Sequence, residues 1–192
     1  FFIYFTPFVL MVTGVVTGTI PILAMWFAMG LGVAGIGLAV MHDANHGTYS
    51  KNEGLNKFMS FSLTYLGGYH MNWRIQHNVL HHTFTNIDGY DEDIEKKGII
   101  RFSPNQERRS AFKFQILYAP LLYSILTLYW VTVKDFDQLA NYHKRDLLKT
   151  QKLTFRTALF RILLIKVLYY SIIIALPIAL GIPWWLVLIG FL

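Results

Sequence analysis

Five of the seven histidines in this chain fall into two tight groups, His42-Asp43-Ala44-Asn45-His46 and His77-Asn78-Val79-Leu80-His81-His82. On an α-helix, residues four apart lie nearly above one another, so His42 with His46, and His77 with His81, can each chelate one metal ion. His82 follows His81 by one residue and is turned about 100° from that face. A second metal ion would give it a role. His70 and His143 belong to no cluster and read as ordinary core or surface residues. Imidazole without thiolate selects zinc, iron, copper or nickel over magnesium or calcium, and the sequence has no cysteine. His42 and His46 have the spacing of a zinc-protease helix, but that motif needs Glu after the first His, and Asp43 stands there. Five ligands also overfill a zinc site. Iron, whose oxygen chemistry uses open coordination positions, fits the excess better.

The elements that must position these clusters are apolar. Of the 192 residues, 54% are hydrophobic and 16% aromatic, and the mean hydropathy is positive, the balance of a membrane protein. Residues 1–18 are almost wholly apolar, and residues 21–41 carry no charge. The second run spans roughly 31 Å as a helix, enough for one crossing. A turn at Gly18-Thr19-Ile20 makes the two a hairpin that delivers the chain to His42. Residues 42–113 are polar and hold nine of the 17 basic residues. Residues 114–133 are again apolar, but a crossing there would put the basic stretch 134–156 on the opposite side from 42–113, against positive-inside bias. With Pro120 early in the run, a re-entrant or interfacial helix is expected. Residues 157–180 then cross, Gly181-Ile182-Pro183 turns, and Trp184-Trp185 anchors a returning helix over 183–192.

The expected fold class is therefore an all-α integral membrane protein. Two transmembrane hairpins (about 2–18 with 21–41, and 157–180 with 183–192) carry a cytoplasmic helical cap made from 42–113 and 134–156. Residues 1–192 form one partial domain. The formal charge of +6 reads as a topology signal, because the basic residues sit in loops beside apolar runs and do not line a helix face interleaved with aromatics. Nucleic acid is not an expected partner.

The run His42 to Gly47, followed by Asn72-Trp73-Arg74-Ile75-Gln76-His77-Asn78-Val79-Leu80-His81-His82-Thr83, resembles the first and second histidine boxes of membrane fatty acid desaturases. Order, separation and the preceding hairpin all match, and the resemblance extends over the whole chain. Asp43 and Asn78 are more like the acyl-CoA and front-end group than the group whose first box reads Glu-Cys-Gly. The resemblance implies a non-haem diiron centre ligated by His42, His46, His77, His81 and His82. It implies dioxygen as co-substrate, a fatty acyl substrate on coenzyme A or a lipid, and electrons from a separate carrier such as ferredoxin or cytochrome b5. Hydroxylases and ketolases of the same superfamily share the boxes. A zinc-dependent membrane hydrolase or a metal transporter is the alternative of another class, but residues 21–41 and 167–192 hold no charge or histidine at mid-bilayer.

Asn45, Asn72 and Asn78 are candidates to bond the ligands' free ring nitrogens, or are plain turn and cap residues. The run Asp88 to Asp93 resembles the acidic stretch after the family's second box, and by itself reads as a solvated loop. The family's third box has no counterpart here. Five nitrogens are fewer than the roughly seven to nine ligands that two irons call for, so a further histidine pair is expected past Leu192.

Overall fold

The computed structural model describes residues 1–94 and 99–192. Glu95, Lys96, Lys97 and Gly98, part of the expected extramembrane segment 42–113, lie outside the described residues. Every regular element among the described residues is helical, in agreement with an all-α class. The chain divides into two compact units, Phe1–His70 with Phe160–Leu192, and Met71–Leu159.

In the first unit, helix α1 (Phe2–Val12) buries Tyr4, Pro7, Phe8 and Met11, the three- and four-residue spacing of one helix face. It stops at Val12, earlier than the apolar run. The hydroxyl of Thr13 donates to the Val9 carbonyl at 2.7 Å, and Gly14 turns the chain at φ +72, a conformation glycine adopts at little cost. Helix α2 (Thr19–His46) runs 28 residues and buries Ile22, Trp26, Met29 and Ile36 in a core shared with Tyr4, Phe8 and Met11 of α1. Gly32 makes the close approach possible: a Cβ there would lie 2.8 Å from the Tyr4 backbone.

Two short helices follow, α3 (Glu53–Ser60) and α4 (Ser62–Tyr65). Asn52 caps α3 by accepting from the Leu55 N–H at 3.1 Å. Helix α5 (His70–Arg74) then leads into a π-helical segment, Ile75–His81.

In the second unit, helix α6 (Ser110–Lys144) is continuous over 35 residues and contains Pro120 without a break. Its apolar side chains, Ile116, Leu117 and Leu121 among them, are exposed, which suits contact with lipid. Helix α7 (Phe155–Ala179), which joins the first unit from Phe160 onward, is followed by a turn at Gly181, φ +96. Pro183 starts helix α8 (Trp184–Phe191). The turn falls where residues 181–183 marked it. Helix α8 packs on α2 through Leu186 and Val187, and a Cβ on Gly190 would lie 2.3 Å from the Trp26 indole. By length and composition α2, α6 and α7 are each able to cross a membrane.

Gly32 supplies the test of this packing. Gly32→Ala presses a methyl group onto backbone that cannot rotate away, and is expected to destabilise the first unit by about 1–3 kcal/mol. Thermal unfolding in detergent reads the loss, and an unchanged midpoint would contradict the α1–α2 contact.

Candidate metal centre

Both histidine clusters adjoin π-helical turns. Ile36–Met41 is π-helical immediately before His42, and Ile75–His81 contains most of the second cluster. π turns are rare and concentrate at functional sites.

In the first cluster the backbone returns to α-helix over His42–His46 and ends at Gly47, φ +76. The four-residue spacing brings the rings of His42 and His46 to 4.6 Å between centroids. Asp43 lies 3.0 Å from Nδ1 of His42, which leaves Nε2 as the ring's other donor atom. Asn45 donates to the carbonyls of Met41 and Ser60, at 3.0 and 3.4 Å. It braces the backbone that carries the cluster.

The second cluster departs from the α-helical expectation. In a π turn each N–H bonds five residues back, and the His82 N–H donates to the His77 carbonyl at 3.0 Å. His82 therefore swings onto the face of His77, and their Nε2 atoms stand 3.2 Å apart. Two imidazole nitrogens at adjacent corners of one metal ion, with bonds of about 2.1 Å at right angles, lie about 3.0 Å apart. The structure thus brings His82 beside His77, where an α-helical wheel turns it away, and the Nε2 spacing is one that a single ion could span. His81 stacks on His77 with ring centroids at 5.2 Å, and Trp73 stacks on the opposite face of the column at 4.4 Å. Trp73, one α turn before His77, fixes the plane of that ring.

The remaining contacts come from residues read in sequence as a solvated loop. Nδ1 of His81 lies 3.0 and 3.2 Å from the two oxygens of Asp91 and 3.3 Å from Asp93. His77, His81 and Asp93 can bring one donor atom each within 4.8 Å of one another, a mixed imidazole–carboxylate set that suits iron. Burial alone would raise the Asp91 carboxyl, but the N–H groups of Asn86 and Asp93 and the His81 ring outweigh it and hold the pKa below the ordinary value. Glu92 accepts from Tyr142 Oη at 2.8 Å, Gln138 Nε2 at 3.1 Å and Asn141 Nδ2 at 3.2 Å, all on α6. Asn72 donates to the Asp135 carbonyl at 2.8 Å and so also braces backbone. His70 packs against the rings of Phe61 and Tyr69, and His143 against Phe155.

The family model for fatty acid desaturase matches residues 18–192. Among curated relatives, the chain is 35% identical over 164 residues to the sn-1 linoleoyl-lipid 6-desaturase of Synechocystis sp., covering 84% of this chain and 45% of that protein. It is 30% identical to the enzyme of the same name from Arthrospira platensis, covering 80% and 41%. It is 39% identical over 115 residues to the acyl-lipid (8-3)-desaturase of Physcomitrium patens, covering 59% and 24%. The alignments span less than half of these relatives' lengths. No solved structure matches the chain. The chain belongs to the fatty acid desaturase family, and with three apolar helices long enough to cross a bilayer it is an integral membrane protein.

The acceptor role of Glu92 is directly testable. Tyr142→Phe removes one donor from that carboxylate and is expected to cost about 1–2 kcal/mol. Hydrogen exchange should speed up in the loop 82–94 while the first unit is unaffected. Uniform exchange rates would show that the loop does not depend on this bond.

Proposed function

We propose that the protein is an O2-dependent fatty-acyl desaturase that inserts a double bond into the acyl chain of a membrane lipid. The observation that carries this reading is the 3.2 Å separation of the His77 and His82 Nε2 atoms, a metal-ligand spacing inside a desaturase family box. In this reading His42, His46, His77, His81 and His82 ligate two iron ions. When bound, iron supplies dioxygen activation and the oxidising power that removes two hydrogens from adjacent methylenes.

The chain's own part is positioning. Asp43 and Asp91 engage Nδ1 of His42 and His81 and leave Nε2 for the metal. The Trp73 ring holds the plane of His77. The exposed apolar faces keep the acyl substrate in a hydrocarbon environment. An acyl-lipid substrate is favoured over acyl-CoA because the relatives named above are lipid desaturases. Positive-inside bias supports a cytoplasmic site on two membrane hairpins. Two electrons come from a separate carrier, ferredoxin or cytochrome b5.

Expression of the intact gene in a host of simple lipid composition is expected to yield a new double bond, identified by mass spectrometry of its fatty acids. Hydroxy acids or keto products would turn the reading to a hydroxylase or ketolase of the same superfamily. Purified intact protein is expected to hold close to two irons per chain. His77→Ala and His82→Ala should each lose iron, and the double variant little more than either alone, because neighbours on one ion are not independent. One zinc and no iron would refute the assignment.

A further inference from the structure

Three consecutive carboxylates, Asp91, Glu92 and Asp93, follow the second histidine box. Like charges at this density normally stay in water, yet the Asp91 side chain is fully buried. A buried carboxylate is tolerated only when its oxygens are fully hydrogen-bonded. Those of Asp91 take the N–H of Asn86 at 2.8 Å, the N–H of Asp93 at 3.0 Å and the ring of His81. Two of these bonds close the turn, and the third leaves it to reach the box.

Neighbouring contacts complete a circuit within the second unit. Asp93 accepts from Gln76 Nε2 at 2.7 Å, and Gln76 Oε1 accepts from Gln138 Nε2 at 2.8 Å. Gln138 also donates to Glu92, and the backbone returns from Glu92 to Asp91. Box, acidic turn and helix α6 are thereby held by one closed set of side-chain bonds. Asp91 and Asp93 both lie against Nδ1 of His81, at 3.0 and 3.3 Å, and Glu92 is attached to α6.

We infer that the turn Asp91-Glu92-Asp93 is the positioning device of the second box: Asp91 sets the tautomer and orientation of His81 so that Nε2 faces the metal, and Glu92 fastens the turn to α6. The inference rests on the metal-centre reading above. Asp91 is a positioning residue that acts through His81. A carboxylate on Nδ1 keeps the proton on that nitrogen and leaves Nε2 bare and more basic. The arrangement matches the Nε2 presentation of His77 and His82. A turn that served only its own closure would need the two backbone bonds and not the ring of His81.

The test uses the intact protein, labelled with 15N-histidine in detergent and free of metal, with His81 assigned by its absence in His81→Gln. Imidazole 15N shifts should show His81 protonated at Nδ1 and bare at Nε2. A proton on Nε2 in the unaltered protein overturns the inference without any variant. Asp91→Asn keeps the shape but turns one acceptor into a donor, which faces the Asn86 N–H or the Asp93 N–H and, in either orientation, lies beside the ring. It should weaken the tautomer preference, with the Asp93 carboxylate still 3.3 Å from Nδ1, and speed iron release to a chelator by roughly 10–100-fold. Glu92→Gln should speed release less. Asp88→Asn is the control: Asp88 accepts from Ser103 Oγ at 3.3 Å and should change neither readout. An unchanged tautomer and unchanged iron release in Asp91→Asn would also overturn the inference. If the unaltered protein binds no iron while His81 keeps its proton on Nδ1, the diiron reading fails and the positioning role stands.

Discussion

The bond from the His82 N–H to the His77 carbonyl, five residues back, is the constraint on which the second box depends. A residue on an α-helix cannot share a face with a neighbour five positions away, since that spacing rotates it by about 140°. The wider π turn reduces this rotation, and the rings of His77, His81 and His82 all lie against one another. The arrangement has a cost, because π geometry is rarely adopted without compensation. Here the compensation is visible: Trp73 and His77 stack, and the acidic turn holds His81 from the other side.

The first unit meets a different demand. Apolar side chains gain little by leaving lipid for one another, so helices in a membrane associate through close packing of small residues. Gly32 against Tyr4 and Gly190 against Trp26 are such contacts. Each lets a large aromatic ring or a backbone approach where any Cβ would intrude. The same glycines look unremarkable in sequence, where they read only as interruptions of apolar runs.

How much was legible from sequence follows from the range of the interactions involved. The histidine spacings, the apolar runs and the Gly181-Ile182-Pro183 turn are local patterns, and the helix ends follow the turn there. The end of α1 at Val12 depends on the conformation of Gly14, and composition of the run gives no sign of it. The π turn has no residue signature comparable to a cap or a proline, so a helical wheel put His82 on the wrong face. Glu92 looked like a solvated charge because its partners, Tyr142 and Gln138, lie some fifty residues away in sequence, and Asp91 because its bonds to the Asn86 N–H and the His81 ring depend on how the turn closes. Asn45 and Asn72 were legible as polar residues near the boxes, but not as braces to backbone carbonyls. Trp73 could have been found: it precedes His77 by the same four residues that separate His77 from His81.

A single ammonium group links the apolar unit to the order in which the chain is made. Lys166 lies on α7, is 6% exposed, and donates to the Gly67 carbonyl at 2.6 Å, in a turn where Gly67 takes φ +77 against the ring of Tyr169. A lysine within an apolar helix is expensive in hydrocarbon until it meets an oxygen. Synthesis proceeds from the N-terminus, so that oxygen already exists, one residue ahead of Gly68, when α7 emerges. The late helix is therefore held to the early turn by polarity as well as shape, and an α7 that arrived before its acceptor would carry its charge into the bilayer alone.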